Sequence, residues 1–184
     1  MLIQKYQEHW ENDFDKIKEV LSEHIFQNGI QIEHIGSTSI KNLSAKPIID
    51  IDIAYNNPGL FEEIKTGLEK LGYYHNGNQG IEGREVFKRE KKKDIHLVLD
   101  SISHHLYVCH ITCEELHRHL NFRNYLRNHE KARKEYEKLK YEIAEKANQD
   151  KKEYAKLKEI MAKDFVASIL NKSKEKNKPN AVSG

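Results

Sequence analysis

Cys109 and Cys113 are the only cysteines among the 184 residues of this chain. Two thiols cannot make the framework of a disulfide-stapled secreted domain, and a lone CxxxC pair is a poor metal or redox motif. Long hydrophobic runs are missing too: nothing approaches the roughly 20 apolar residues that span a bilayer. The opening MLIQKYQEHWEND is too polar for a secretory leader. The expectation is a cytoplasmic protein without disulfides or membrane contact. Net charge is also nearly absent, +2 from 31 basic and 29 acidic residues, which argues neither for nor against nucleic acid. The surplus is local. Residues 151–184 hold nine lysines against Glu153, Glu159, Asp164 and Glu175. With only Tyr154 and Phe165 among them to stack on bases, they read as a solvated helix and a basic tail, not a nucleic-acid grip. No repeat and no Gly/Ser linker divides the chain. One domain is expected over 1–171, an α/β core (1–110) with a helical part (111–171), before a disordered tail at 172–184.

What is present is periodicity. Over residues 8–28, Trp10, Phe14, Ile17, Val20 or Leu21, and Ile25 recur at helical spacing between charged residues, and Asn28-Gly29 stops the helix. Ile30–Ile35 alternates as a short strand ending at Gly36. Pro47 has no amide to give a sheet ladder, so the next strand starts there and runs over Ile48–Tyr55. Asn57-Pro58 opens a helix with Leu60, Phe61, Ile64, Leu68 and Leu71 as its buried stripe, and Gly72 closes it. Beyond a loop dotted with Gly77, Gly80 and Gly83, strands are expected at Val86–Glu90, Ile95–Asp100 and His104–His110. They form an antiparallel meander with a KKKD turn at 91–94. Helices near 113–128, 130–148 and 151–171 follow.

The chemistry concentrates in the second strand. Asp50 and Asp52 alternate with Ile49, Ile51 and Ile53, so both carboxylates share one face. Adjacent acids in an apolar strand repel unless a cation holds them. As a functional pair they would take Mg²⁺, which prefers one or two carboxylates with substrate phosphate oxygens. The plain alternative is a strand whose exposed face is acidic. Upstream, Gly36-Ser37 and Thr38 can offer amides and hydroxyls to a phosphate, or simply make a turn with an N-cap. Lys46 stands just before the acidic strand.

Other candidates are more scattered. His105 and Tyr107 share a strand face, making His105 a candidate ligand or proton shuttle, or else a half-buried structural histidine; a one-residue slip would present His104 instead. Arg84 leaves the glycine loop. Arg123 and Arg127, Tyr136 and Lys140, and Tyr154 and Lys158 each lie four apart on a helix face. Arginine grips phosphate bidentately and lysine acts as a point charge. The arginine pair is read as functional and Tyr154/Lys158 as ordinary surface.

With those residues in hand, the sequence resembles the GrpB (UPF0157) family of nucleotidyltransferase-like proteins. The resemblance rests on EHIGSTSI (33–40), AKPIIDI (45–51), GIEGREVF (80–87), HHLYVC (104–109) and RHLNFRNYLRNHEKARKEYEKLK (118–140). Lys41-Asn42 replaces the family's usual proline-glycine loop, and the lysine-rich segment at 88–94 is longer than the common form. The resemblance implies an α+β fold: a nucleotidyltransferase-like mixed β-sheet with helices packed on it and a helical C-terminal extension. It implies a Ser on the triphosphate of an NTP and acids on metal, but no settled substrate. Active nucleotidyltransferases usually add a third carboxylate from a later strand; here that strand offers His105 and Tyr107, while Asp94 and Asp100 lie in the less typical hairpin. Two functions follow as expectations. One is Mg²⁺-dependent transfer of a nucleotidyl group from an NTP to a small acceptor, with Asp50, Asp52 and His105 catalytic and Gly36, Ser37, Thr38, Lys46, Arg84, Arg123, Arg127, Tyr136 and Lys140 on the nucleotide or an acidic acceptor. The other is a non-catalytic module binding a nucleotide or phosphorylated metabolite on the same fold.

Overall fold

A computed structural model describes residues 1–25, 28–90 and 95–176. The elements run α1 (His9–Ile25), β1 (Ile30–Ile35), a 3₁₀ turn (Ser37–Ser39), β2 (Ile49–Tyr55), α2 (Leu60–Lys70), β3 (Tyr73–His75), β4 (Arg84–Arg89), α3 (Leu97–Ser101), β5 (His104–His110), α4 (Glu114–Asn128), α5 (Glu130–Lys146), α6 (Lys151–Met161) and α7 (Lys163–Lys176). The class is α+β. One mixed sheet has the order β1-β2-β5-β4-β3.

The alternation in β2 decides what each face of the sheet does. Ile49, Ile51 and Ile53 are buried and pack with Leu106 and Val108 of β5 against the apolar stripes of α1 and α2. Gly67 lets those two helices touch, since a Cβ there would sit 2.5 Å from the His24 carbonyl oxygen. On the opposite face β2 presents Asp50 and Asp52. The helices after β5 build a second cluster around Leu126, Tyr136, Ile143, Tyr154 and Ile169, with Ile3, Ile40 and Leu43 from the first part of the chain. Turn chemistry starts α6: Asn148 and Gln149 take positive φ. Asp150 then caps the amides of Lys152 and Glu153 at 2.9 and 2.8 Å.

The strand expected at Ile95–Asp100 is instead α3. Its alternating Ile95, Leu97 and Leu99 mimic a strand, but Ile95 and Leu97 are exposed and only Leu99 is buried. The Asp100 carboxylate accepts from the His96 amide and from Arg89, and so anchors a short helical turn in place of a ladder. The three-strand meander is accordingly corrected. β5 pairs antiparallel with β4 but parallel with β2, Asp50 opposite His105 and Asp52 opposite Tyr107. β3, unforeseen in the sequence, is only Tyr73–His75 at the sheet edge. The last expected helix is two, α6 and α7, meeting at buried Ala162. Residues 172–176, expected to begin a disordered tail, continue α7, and the rest of that tail lies outside the described residues, as do the 91–94 turn and Asp94. No helix is long and apolar enough to cross a membrane, among the described residues.

Candidate functional site

β1 ends where Gly36 turns the chain toward β2. Gly36 has φ 71° and ψ −172°, a region essentially reserved for glycine. A Cβ there would also run into the Asp50 carboxylate. The turn and the acidic strand are thus in direct contact. Of the three hydroxyls that follow, two are committed to the fold. Thr38 donates to the Ile48 carbonyl at 3.1 Å and so is an acceptor for the His34 ring, also at 3.1 Å. Burial, with Arg127 nearby, pushes His34 down to about 4, so the ring is neutral. Ser39 donates to the Gly36 carbonyl at 2.6 Å. Ser37 makes no such bond among the described residues, which leaves its hydroxyl unengaged by the fold.

Both carboxylates of β2 are met by imidazoles. Asp50 Oδ1 lies 2.9 Å from His105 Nδ1, across the parallel β2/β5 ladder. Asp52 is 1% exposed and its Oδ2 lies 2.8 Å from His119 Nδ1 on α4. His119 Nε2 in turn lies 3.1 Å from Glu115 Oε1. Burial works against a charge on His119, but the two carboxylates prevail and lift it to about 9, while His119 draws Glu115 down to about 2. Burial pushes Asp52 upward, against the pull of His119. The proton resides on the imidazole. Asp52 Oδ1 remains buried without a hydrogen-bond partner. Among the described residues no group of three or more His, Cys, Asp or Glu converges as a metal site.

A cleft of about 880 Å³ opens between this sheet face and the C-terminal helices, lined by Gly36, Ser37, Asp50 and His105 on one side. Lys46, just before β2, and Lys140, Lys158 and Lys163 of the C-terminal helices line it as well. Among the described residues none of these four lysines forms an ion pair within the chain. Lys140, 1% exposed, donates to the Ser44 carbonyl. Burial drives its amine well below the ordinary lysine range, and Lys158 adds to the effect. Lys46 is lowered by burial and by Lys158, and its amine lies 5.1 Å over the Tyr154 ring. Lys158 is raised, chiefly by the neighbouring Tyr136 hydroxyl. Asp50 offsets part of the charge on Lys46, Lys140 and Lys158, but amines held together out of full solvent stay costly without a directly bonded anion.

The remaining sequence candidates divide. Tyr136 lines the cleft. Arg123 lines it too, but its Nη1 is occupied by Glu33 at 2.7 Å and the His34 carbonyl at 2.8 Å. Arg127 grips the Ser39 carbonyl through two nitrogens at 3.0 and 2.7 Å and is absent from the lining. The arginine pair therefore fastens α4 to β1 through Arg123 and to the turn through Arg127. Arg84 lies on a neighbouring cleft, its guanidinium 4.6 Å over the Tyr107 ring. His104 faces the other way, its Nε2 2.5 Å from the Tyr73 hydroxyl, so the register presents His105. Sequence reasoning missed His119 and Glu115, although their four-residue spacing on one helix face was there to read. It also read Lys158 as surface, where the fold turns it into the cleft.

The sequence matches the family model described as GrpB protein over residues 1–172. The glutamate-rich protein GrpB of Alkalihalophilus pseudofirmus is 35% identical over 172 residues, 93% of this chain and 94% of that protein. The UPF0157 protein YqkA of Bacillus subtilis is 37% identical over 139 residues, 76% of this chain but 38% of that protein. Among solved structures, the conserved protein GrpB from Enterococcus faecalis superposes with a TM-score of 0.75 and 29% identity over 92% of this chain and 98% of that one. The Cid1 poly(U) polymerase, bound to MgATP, gives a TM-score of 0.51 at 11% identity, over 80% of this chain and 45% of that one. At that identity the likeness concerns the fold alone.

Proposed function

The chain belongs to the GrpB family, and from that premise we propose that it binds a nucleoside triphosphate in the 880 Å³ cleft and transfers the nucleotidyl group to a small acceptor. The observation carrying this reading is the juxtaposition of the Gly36-Ser37 turn and Asp50 with four lysines that have no ion-pair partner among the described residues. A triphosphate supplies the missing negative charge. Ser37 and the turn amides bind it from the sheet side, with Lys46 from the segment leading into β2 and Lys158 and Lys163 from the helices. The nucleotide-bound state of Cid1, on a similar fold, is consistent with this.

Asp50 and Asp52 suit Mg²⁺: their oxygens are hard donors, and Asp52 Oδ1 is buried without a partner. When bound, the metal would offset the charge building on the phosphates. In the transfer, the acceptor's hydroxyl oxygen bonds to the α-phosphorus as the bond to the β-phosphate oxygen breaks, and pyrophosphate leaves. The hydroxyl proton passes to His105 Nε2, the ring being oriented through Nδ1 by Asp50. This reading places the protein in the cytoplasm, where its two buried cysteines stay as free thiols.

A second reading is a non-catalytic module that binds a nucleotide or phosphorylated metabolite in the same cleft. The engagement of both carboxylates by His105 and His119, with no metal-binding group of three ligands among the described residues, favours it. Thermal-shift titration with the four nucleoside triphosphates, with and without Mg²⁺, followed by a pyrophosphate-release assay, separates the two. Metal-dependent stabilisation with release that Asp50→Asn abolishes supports transfer. Stabilisation without release supports the binding module, and no stabilisation by any triphosphate rejects nucleotide binding.

A further inference from the structure

A second cleft, of about 570 Å³, lies on the β4 flank of His105 and Tyr107 and reaches past the strand ends to His104 and Tyr73. His105, Tyr107 and Ile48 line both clefts and form the partition between them. Arg84 lies in the second cleft alone. The antiparallel register sets Arg84 opposite Cys109, on the sheet face that carries Tyr107 and Asp52. Its guanidinium carbon lies 4.6 Å from the centre of the Tyr107 ring, a cation–π contact that holds the side chain at this wall. Its Nε is buried without a hydrogen-bond partner, and the side chain makes no ion pair among the described residues. The acid lining this cleft, Asp100, is already taken by Arg89 at 3.0 and 3.2 Å and by the His96 amide at 2.7 Å. Lys88 adds a further positive charge to the lining. The cleft is cationic: Asp52, already held by His119, acts on Arg84 only through space, and no carboxylate among the described residues forms an ion pair with its guanidinium.

We propose that this second cleft binds a small acceptor carrying a carboxylate or phosphate group, with Arg84 gripping the oxyanion and the acceptor's hydroxyl presented at His105. The role as acceptor rests on the nucleotidyl-transfer reading; the anion site does not. Tyr107 is the shared wall, so the nucleotide and the acceptor occupy opposite sides of one ring. The selectivity that follows is for anionic hydroxyl compounds over neutral ones.

The test uses the full chain with 3-phosphoglycerate as anionic probe and glycerol as neutral control, followed by calorimetry and by NMR of the ligand. Wild type should bind 3-phosphoglycerate at least about tenfold more tightly than Arg84→Gln, the loss expected for hydrogen bonds to a charged group. Arg84→Lys, which keeps the charge and loses the fork, should fall between them. Glycerol should not distinguish the proteins, and saturating ATP should leave 3-phosphoglycerate bound. Equal binding by Arg84→Gln, with unchanged thermal unfolding, overturns the proposal, as does displacement of 3-phosphoglycerate by ATP. Failure of every triphosphate to bind, with the Arg84 dependence intact, rejects the nucleotide reading and leaves the anion site standing.

Discussion

His119 Nδ1 donates to Asp52 Oδ2 across 2.8 Å, joining α4 to the central strand at a carboxylate that is 1% exposed. A histidine held at about 9 when folded, against an unfolded value near 6.5, contributes stability that is complete below pH 6.5. That contribution fades as pH rises through 9, when the folded imidazole gives up its proton. Its size is on the order of 3 kcal/mol. Thermal unfolding from pH 6 to 10 should show a falling alkaline limb, and His119→Gln should flatten it. An unchanged limb in that variant would remove the ion pair from the account.

Gly36→Ala should destabilise the fold by about 1–3 kcal/mol, because alanine meets both the forbidden dihedral and the Asp50 carboxylate. Urea unfolding measures the cost. Gly80→Ala serves as the comparison: its φ is also positive, but nothing lies within 4 Å of the added Cβ, so it should cost less than Gly36→Ala.

Lys140 and Lys158 should separate stability from binding. Lys140→Met replaces a buried amine by an apolar chain of similar length, so unfolding free energy should change by no more than about 1 kcal/mol. Lys158→Met should weaken ATP binding about tenfold, the effect of one lost charge-assisted contact. Calorimetric titration with ATP gives the second number and urea unfolding the first.

Arg127→Gln should reduce stability by about 1 kcal/mol, because two hydrogen bonds to the Ser39 carbonyl are lost at a partly exposed position. Ser37→Ala should instead leave stability within about 0.5 kcal/mol and lower ATP affinity. Matching effects of the two variants on affinity would contradict the division drawn between a fastening arginine and a ligand-facing hydroxyl.

How much of this was legible in the sequence depends on whether local periodicity or long-range pairing decides the feature. β2 was plain, because period-two alternation of isoleucine and aspartate has one structural reading. The role of Ser37 against Thr38 and Ser39 was not, since all three are equivalent hydroxyls until His34, Ile48 and Gly36 claim two of them. α3 was misread because three apolar residues at period two persuade regardless of burial, and two of them turn out to be exposed. The functions of Arg123 and Arg127 hinge on carbonyls nearly ninety residues earlier in the chain, which spacing within α4 cannot reveal.

α4 reaches the site at three levels: His119 at Asp52, Arg123 at Glu33 and the His34 carbonyl, and Arg127 at Ser39. Those partners belong to β2, β1 and the Ser37–Ser39 turn in succession. The helical part and the sheet are consequently poor candidates for recombination between relatives. A chimera that imports α4 without its own strands inherits a mismatched set of fastenings, and its first symptom should be a site that is misaligned inside a protein that still folds.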